Sequence, residues 1–114
     1  MAKRGLTIKP KYDIKKVHEA IENGYYYVYP RVLIQIKDDF GWREKDLTTF
    51  FSRLRKKHFE KRMPMRNKPP HDYYGEIPAI YDVYKSDDIM GEKVYTHFYF
   101  NEDRLIIDSV HEQD

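Results

Sequence analysis

The sequence predicts an α+β domain: an antiparallel sheet, ending in a C-terminal meander and hairpin, with two to three helices packed on one face. Three observations predict it. The N-terminal half carries apolar residues at helical spacing, most clearly Leu47, Phe50, Phe51 and Leu54. The C-terminal half is a series of short β-branched and aromatic runs separated by turn-forming residues. A chain of 114 residues has the length of one domain and buries a modest core without needing disulfides or metals. Residues 1–114 are therefore expected to form a single domain, with 1–10 as a loose basic arm.

The elements follow in order. A first helix is expected from Asp13 to Gly24: Asp13 caps it, Ile14, Val17 and Ile21 share a face, and Asn23-Gly24 stops it. Tyr25 to Tyr29 is strand-like. Arg31 to Trp42 fits two templates, because Val32, Leu33, Ile36 and Phe40 share a helical face while the segment can equally alternate as a strand. Pro30 at a first helical turn tilts the choice toward helix. A second clear helix covers Glu44 to Lys57, followed by a short strand from His58 to Met63. Pro64 to Pro70 is loop by composition. Strands are expected at Ile80 to Tyr84, Lys93 to Phe100 and Leu105 to Val110, with turns at Lys85 to Gly91 and Asn101 to Arg104.

Composition excludes several chemistries. The absence of cysteine removes disulfides, thiolate zinc sites, iron–sulfur clusters and thiol catalysis. No apolar run approaches the roughly 20 residues of a membrane span. Lys3 and Arg4 are followed by no apolar stretch, so no secretory signal is expected and the protein is expected in the cytoplasm. The glycines are scattered and form no phosphate-cradling loop, and no histidine pair has a zinc-binding helical spacing. No cofactor or metal is therefore expected, and Asp87-Asp88 reads as a turn.

The net charge of +2 hides an asymmetry. Arg53, Arg55, Lys56, Lys57, Lys61, Arg62, Arg66 and Lys68 stand against a single acid, Glu60, whereas the chain beyond Lys85 is acidic. The strip reads either as a polyanion footprint or as a solvated helix face. The 11 tyrosines read mostly as strand formers, and Tyr73 and Tyr74 also as base-stacking or partner-binding residues.

Taken in order, these segments resemble the MqsR (motility quorum-sensing regulator) toxins, small mRNA-cleaving proteins with a RelE-like fold. The resemblance is carried by Lys15 to Gly24, Arg31 and Leu33, Asp39-Phe40-Gly41, and Phe59-Glu60-Lys61-Arg62-Met63. It continues through Asp82-Val83-Tyr84-Lys85, Gly91 to Tyr95, and Ser109 to Glu112, covering roughly 12 to 112. It implies a metal-independent endoribonuclease paired with an antitoxin protein. It also implies functional positions at Lys61 and Tyr95, at Tyr81 where the family has Gln, and at His111 where the family has a terminal Lys.

The residues themselves suggest the chemistry. Metal-free RNA cleavage needs a base for the 2′-hydroxyl, an acid for the leaving oxygen, and cations for the charged phosphorane. Tyr95 and His97, two apart on one strand, share a face, and His111 lies opposite if the turn falls at Asn101 to Arg104. In this reading His97 and His111 transfer protons, Tyr95 donates or orients, and Lys61 with Arg62 holds the phosphate. The plainer reading is that Tyr95, His97 and Tyr99 face solvent or pack under a helix. His18 reads as an edge-of-core residue, His58 as a spacer and His71 as a loop residue. A non-catalytic nucleic-acid- or protein-binding protein of a phage or mobile element on the same scaffold is the alternative to the ribonuclease.

Overall fold

A computed structural model describes residues 9–64 and 80–113. Residues 65–79, with most of the expected Pro64–Pro70 loop and with Arg66, Lys68, His71, Tyr73 and Tyr74, lie outside the described residues, as do residues 1–8 of the expected basic arm.

Three helices cover one face of a five-stranded sheet. Helix α1 (Ile14–Glu22) begins where the Asp13 carboxylate accepts the Lys15 N–H at 2.9 Å. It ends in a Schellman turn: Tyr25 N–H reaches the Ala20 carbonyl, Gly24 N–H reaches Ile21, and Gly24 takes a φ of 70° that a side chain would oppose. Strand β1 (Tyr26–Val28) leads directly into α2 (Pro30–Phe40). The ambiguous segment is thus a helix. Pro30 occupies its first turn, and Val32 and Ile36 are buried while Leu33 and Phe40 pack against the core.

Helix α3 (Glu44–Arg53) carries Glu44 and Asp46 in its first turn, and Asp46 accepts the Arg43 N–H at 2.9 Å. Leu47, Phe50 and Phe51 are fully buried, each contributing roughly 1.5–3 kcal/mol of transfer free energy. The helix stops four residues short of the expected Lys57. Leu54 turns into the core with extended backbone, its carbonyl is taken by His18 Nε2 at 2.7 Å, and the Arg55 N–H is taken by His58 Nδ1 at 2.9 Å. A 3₁₀ turn (Lys56–His58) then delivers the chain to strand β2 (Phe59–Pro64).

The remaining strands are β3 (Ile80–Ile89), β4 (Glu92–Asn101) and β5 (Arg104–Glu112), and the sheet order is β1-β5-β4-β3-β2. Four strands form the expected antiparallel array. The sheet is nevertheless mixed, not antiparallel throughout, because β1 runs parallel to β5. No hairpin joins β1 to β5, so its direction is set by α1 and α2, which deliver and remove it on the same layer. The pairing also satisfies the outer edge of β5, with Leu105 N–H to Tyr25 and Tyr29 N–H to Ile107. A second difference is at Lys85 to Gly91. Strand β3 continues through Asp87 and Asp88 to Ile89, and only Met90-Gly91, both at positive φ, make the turn.

Alternation divides the sheet. Tyr84, Val94, Thr96, Phe98, Phe100, Leu105, Ile107 and Val110 are buried on the helix side. Asp82, wholly buried on that side, accepts the Lys11 and Tyr12 N–H groups and ties the entry segment to the sheet. Burial pushes its carboxyl up, and the two N–H bonds pull it back. Tyr81, Val83, Lys85, Tyr95, His97, Tyr99 and His111 point the other way, onto what we call the far face. No helix among the described residues is long and apolar enough to cross a membrane.

Candidate active site

The far face is assembled by strand register. Tyr95 stands opposite His111 on β5 and opposite Lys85 on β3. His97 stands opposite Ser109 and Val83, and Val83 stands opposite Lys61 on β2. Lys61 and His97 are therefore two strand spacings apart, about 10 Å. All five expected catalytic positions, Lys61, Tyr81, Tyr95, His97 and His111, share this face.

The rings form a continuous run. Tyr81 stacks on His97 at 4.1 Å and 12° between planes, and Tyr95 meets that imidazole edge-on at 5.7 Å. Tyr95 then stacks on His111 at 4.6 Å. Burial raises the Tyr95 phenol above its ordinary range, and Tyr81 and Asp108 add to the shift. Tyr95 is consequently a neutral hydrogen-bond donor at neutral pH. The His111 Nδ1 lies 2.8 Å from the Glu112 carbonyl. A carbonyl only accepts, so Nδ1 carries the proton and Nε2 is left for proton exchange. The Glu112 N–H is itself held by Asp39 of α2 at 2.8 Å.

His97 differs from the other imidazoles. Its Nδ1 is buried and 3.3 Å from Asp108 Oδ2, an ion-pair distance that falls short of a hydrogen bond, and among the described residues no hydrogen-bond partner reaches it. Asp108 is fixed from α2: Arg31 Nη2 donates to its Oδ1 at 2.8 Å and to its carbonyl at 3.0 Å. The same guanidinium lies over the Tyr29 ring, whose hydroxyl is 3.0 Å from that of Tyr99. Asp108 and Lys85 were not among the expected site residues. Lys85 was not legible, because the expected turn at Lys85 to Gly91 took it out of the strand that sets it opposite Tyr95. Asp108 was legible as a residue opposite His97, since unbroken pairing back from Asn101–Arg104 sets the two across from each other, but the bulge that takes it out of the ladder was not.

The basic strip is divided by the fold. Arg53 ends α3, where a cation suits the helix C-terminus. Arg55 folds back onto the Ser52 and Leu54 carbonyls. Lys56 lines a hollow with Lys9, Lys11 and Asp13, and Lys57 pairs with Asp88 at 2.9 Å. Arg62 follows Lys61 and so points to the opposite side of the sheet, where its Nε reaches the Lys9 carbonyl. The pairing of Lys61 with Arg62 on one phosphate is therefore not what the backbone arranges. His58, expected as a spacer, is buried, accepts the Arg55 N–H and contacts Asp88 at 2.8 Å. Among the described residues, no cluster of three or more His, Asp or Glu side chains is placed to hold a metal ion.

What the arrangement can do is exchange protons at two imidazoles within one aromatic run, with Lys61 and Lys85 available to an anion on the same face. One protein-family model, described as motility quorum-sensing regulator, toxin of MqsA, matches residues 9–112. A comparison with curated proteins found no match.

Proposed function

The chain belongs to the motility quorum-sensing regulator toxin family, the toxin half of a toxin–antitoxin pair, and on that premise we propose that it is a metal-independent endoribonuclease acting on mRNA in the cytoplasm. Its partner in this reading is an antitoxin protein that covers a groove or adds to a strand edge. The observation that supports the reading is the far face, the one side of the sheet that Lys61, Tyr95, His97 and His111 share.

The reaction needs no group beyond these. The RNA 2′-oxygen attacks the adjacent phosphorus, and its proton passes to the imidazole of His97. The bond from phosphorus to the 5′-oxygen breaks, and that oxygen takes a proton from His111 in its imidazolium form. Lys61 stabilises the charge on the phosphorane, and the neutral Tyr95 hydroxyl donates to it. The products are a 2′,3′-cyclic phosphate and a 5′-hydroxyl end. Arg53, Arg55, Lys56, Lys57 and Arg62, with Arg66 and Lys68 outside the described residues, are proposed to hold the RNA backbone away from the reacting bond.

One observation favours the alternative, a non-catalytic binding protein. The His97 side chain is only 14% exposed beneath Tyr81, which suits a packed ring as well as a base. The test is incubation of purified protein with end-labelled RNA in EDTA, beside Lys61→Ala, Tyr95→Phe and His97→Ala/His111→Ala proteins. Discrete cuts ending in cyclic phosphate, lost in the variants, are expected. Intact RNA bound with steep salt dependence would establish the binding protein instead.

A further inference from the structure

We propose that Asp108, clamped by Arg31, is the positioning residue that sets the tautomer of His97 and so makes its Nε2 the proton acceptor. The proposal rests on the ribonuclease reading of the far face and adds two residues to it.

The argument starts from an irregularity in the ladder. His97 pairs with Ser109 but Phe98 pairs with Ile107, so Asp108 is an extra residue, a β-bulge. A bulge leaves its residue outside the ladder and re-aims its side chain. At Asp108 both consequences are visible. Its carbonyl is supplied with a donor by Arg31 from α2, and its carboxylate is turned toward the neighbouring strand.

The two carboxylate oxygens have different tasks. Oδ1 accepts from Arg31 at 2.8 Å, which fixes the plane of the group. Oδ2 is left 3.3 Å from His97 Nδ1, the buried nitrogen that has no hydrogen-bond partner. A carboxylate can only accept, so it favours the tautomer with the proton on Nδ1. Nε2 then keeps its lone pair for the 2′-hydroxyl. The contact is long, as catalytic hydrogen bonds in unliganded enzymes often are. The groups facing His97 are Tyr81 from β3, Tyr95 from its own strand and Asp108 from β5, with Arg31 behind Asp108 and Lys61 two strands away. Of these, Asp108 alone presents an acceptor to Nδ1 at ion-pair distance.

Asp108→Asn reverses the preference while keeping the shape. Arg31 continues to donate to the amide oxygen, which leaves the amide nitrogen, a donor, facing His97. The ring must then accept at Nδ1 and carry its proton on Nε2, where it can no longer act as base.

The experiment is nitrogen NMR of the full chain labelled at histidine, with His97 assigned by a His97→Gln protein. In the wild type at a pH where the ring is neutral, the proton is expected on Nδ1; in Asp108→Asn it is expected on Nε2. Cleavage by Asp108→Asn should show kcat lowered on the order of 10²-fold with KM unchanged. A wild-type ring protonated on Nε2 overturns the proposal, and that reading does not depend on the Asp108→Asn protein folding. Asp108→Asn cutting RNA at the wild-type rate overturns it as well. Failure of the wild type to cut RNA would instead overturn the ribonuclease reading, which the tautomer measurement does not touch.

Discussion

The molecule contains two histidine–aspartate pairs built from the same chemistry and left in different states. At the junction of the 3₁₀ turn and β3, His58 Nδ1 accepts the Arg55 N–H, Nε2 lies 2.8 Å from Asp88, and Asp88 is also bonded by Lys57 and Ser86. Every polar atom of that imidazole has a partner. On the far face, His97 lies 3.3 Å from Asp108, and its Nδ1 makes no hydrogen bond. The difference separates a latch from a reactive group. A saturated imidazole has no lone pair or proton to offer, because moving either one breaks an existing bond. An imidazole with one unmatched nitrogen beside a fixed carboxylate retains both.

The comparison breaks most directly by exchanging the two losses. His97→Ala should lower RNA cleavage by about 10²–10⁴-fold, the usual range for a lost general base, and leave the urea midpoint near that of the wild type. His58→Ala should do the opposite. It strands the Arg55 N–H and costs about 2 kcal/mol in urea unfolding, with cleavage per folded molecule unchanged. If both variants lost activity and stability together, the division between latch and reactive group would be wrong.

A finer test uses pH. Lys57, His58 and Ser86 hold the Asp88 carboxyl well below the ordinary carboxylate range, in the order given. A carboxyl depressed by folding contributes stability above its unfolded value of 3.8, and that contribution disappears as pH falls through the folded value. The stability difference between wild type and Asp88→Asn should therefore be full at pH 6 and shrink steadily below pH 4. Asp88 is solvent-exposed, so its charge is also screened, and the difference at pH 6 should narrow when salt is added. A difference that is flat with pH would remove the charge from the latch and leave shape alone.

The smallest expected effect concerns the basic strip. Arg53, Arg55 and Lys56 lie on the helix end, away from the far face. Replacing each by Gln should reduce the slope of log affinity for single-stranded RNA against log salt by about 0.7 for every phosphate that is no longer neutralised. Cuts should stay at the same positions. A change in cleavage position would mean that these residues set where the RNA enters the site.

Much of this was legible in the chain. The Asp13 cap, the Asn23-Gly24 stop, the Leu47–Phe50–Phe51–Leu54 stripe and the Asn101–Arg104 turn follow from the sequence because each is decided by neighbours a few residues away. The alternation of Tyr95, His97 and Tyr99 follows from strand period alone, whereas His111 comes opposite Tyr95 only through the extra residue at Asp108, since unbroken pairing from the Asn101–Arg104 turn would set Val110 there. The resemblance to the toxin family rested on motifs of the same local kind, and the family match bears it out.

Tertiary structure decided the rest. The segment Arg31 to Phe40 is equally apolar at both periods, and it became a helix where Val32 and Ile36 found the core. Strand β1 took a parallel partner because two helices fixed its direction. Asp108, a bulge residue, is held by Arg31, 77 positions earlier, and Asp88 found His58 30 positions away. Periodicity and capping are interactions within a turn or two and are written along the chain. Bulges, cross-strand ion pairs and the hydrogen-bond saturation of an imidazole depend on residues brought together by folding, so the feature that distinguishes His97 from His58 exists only in three dimensions.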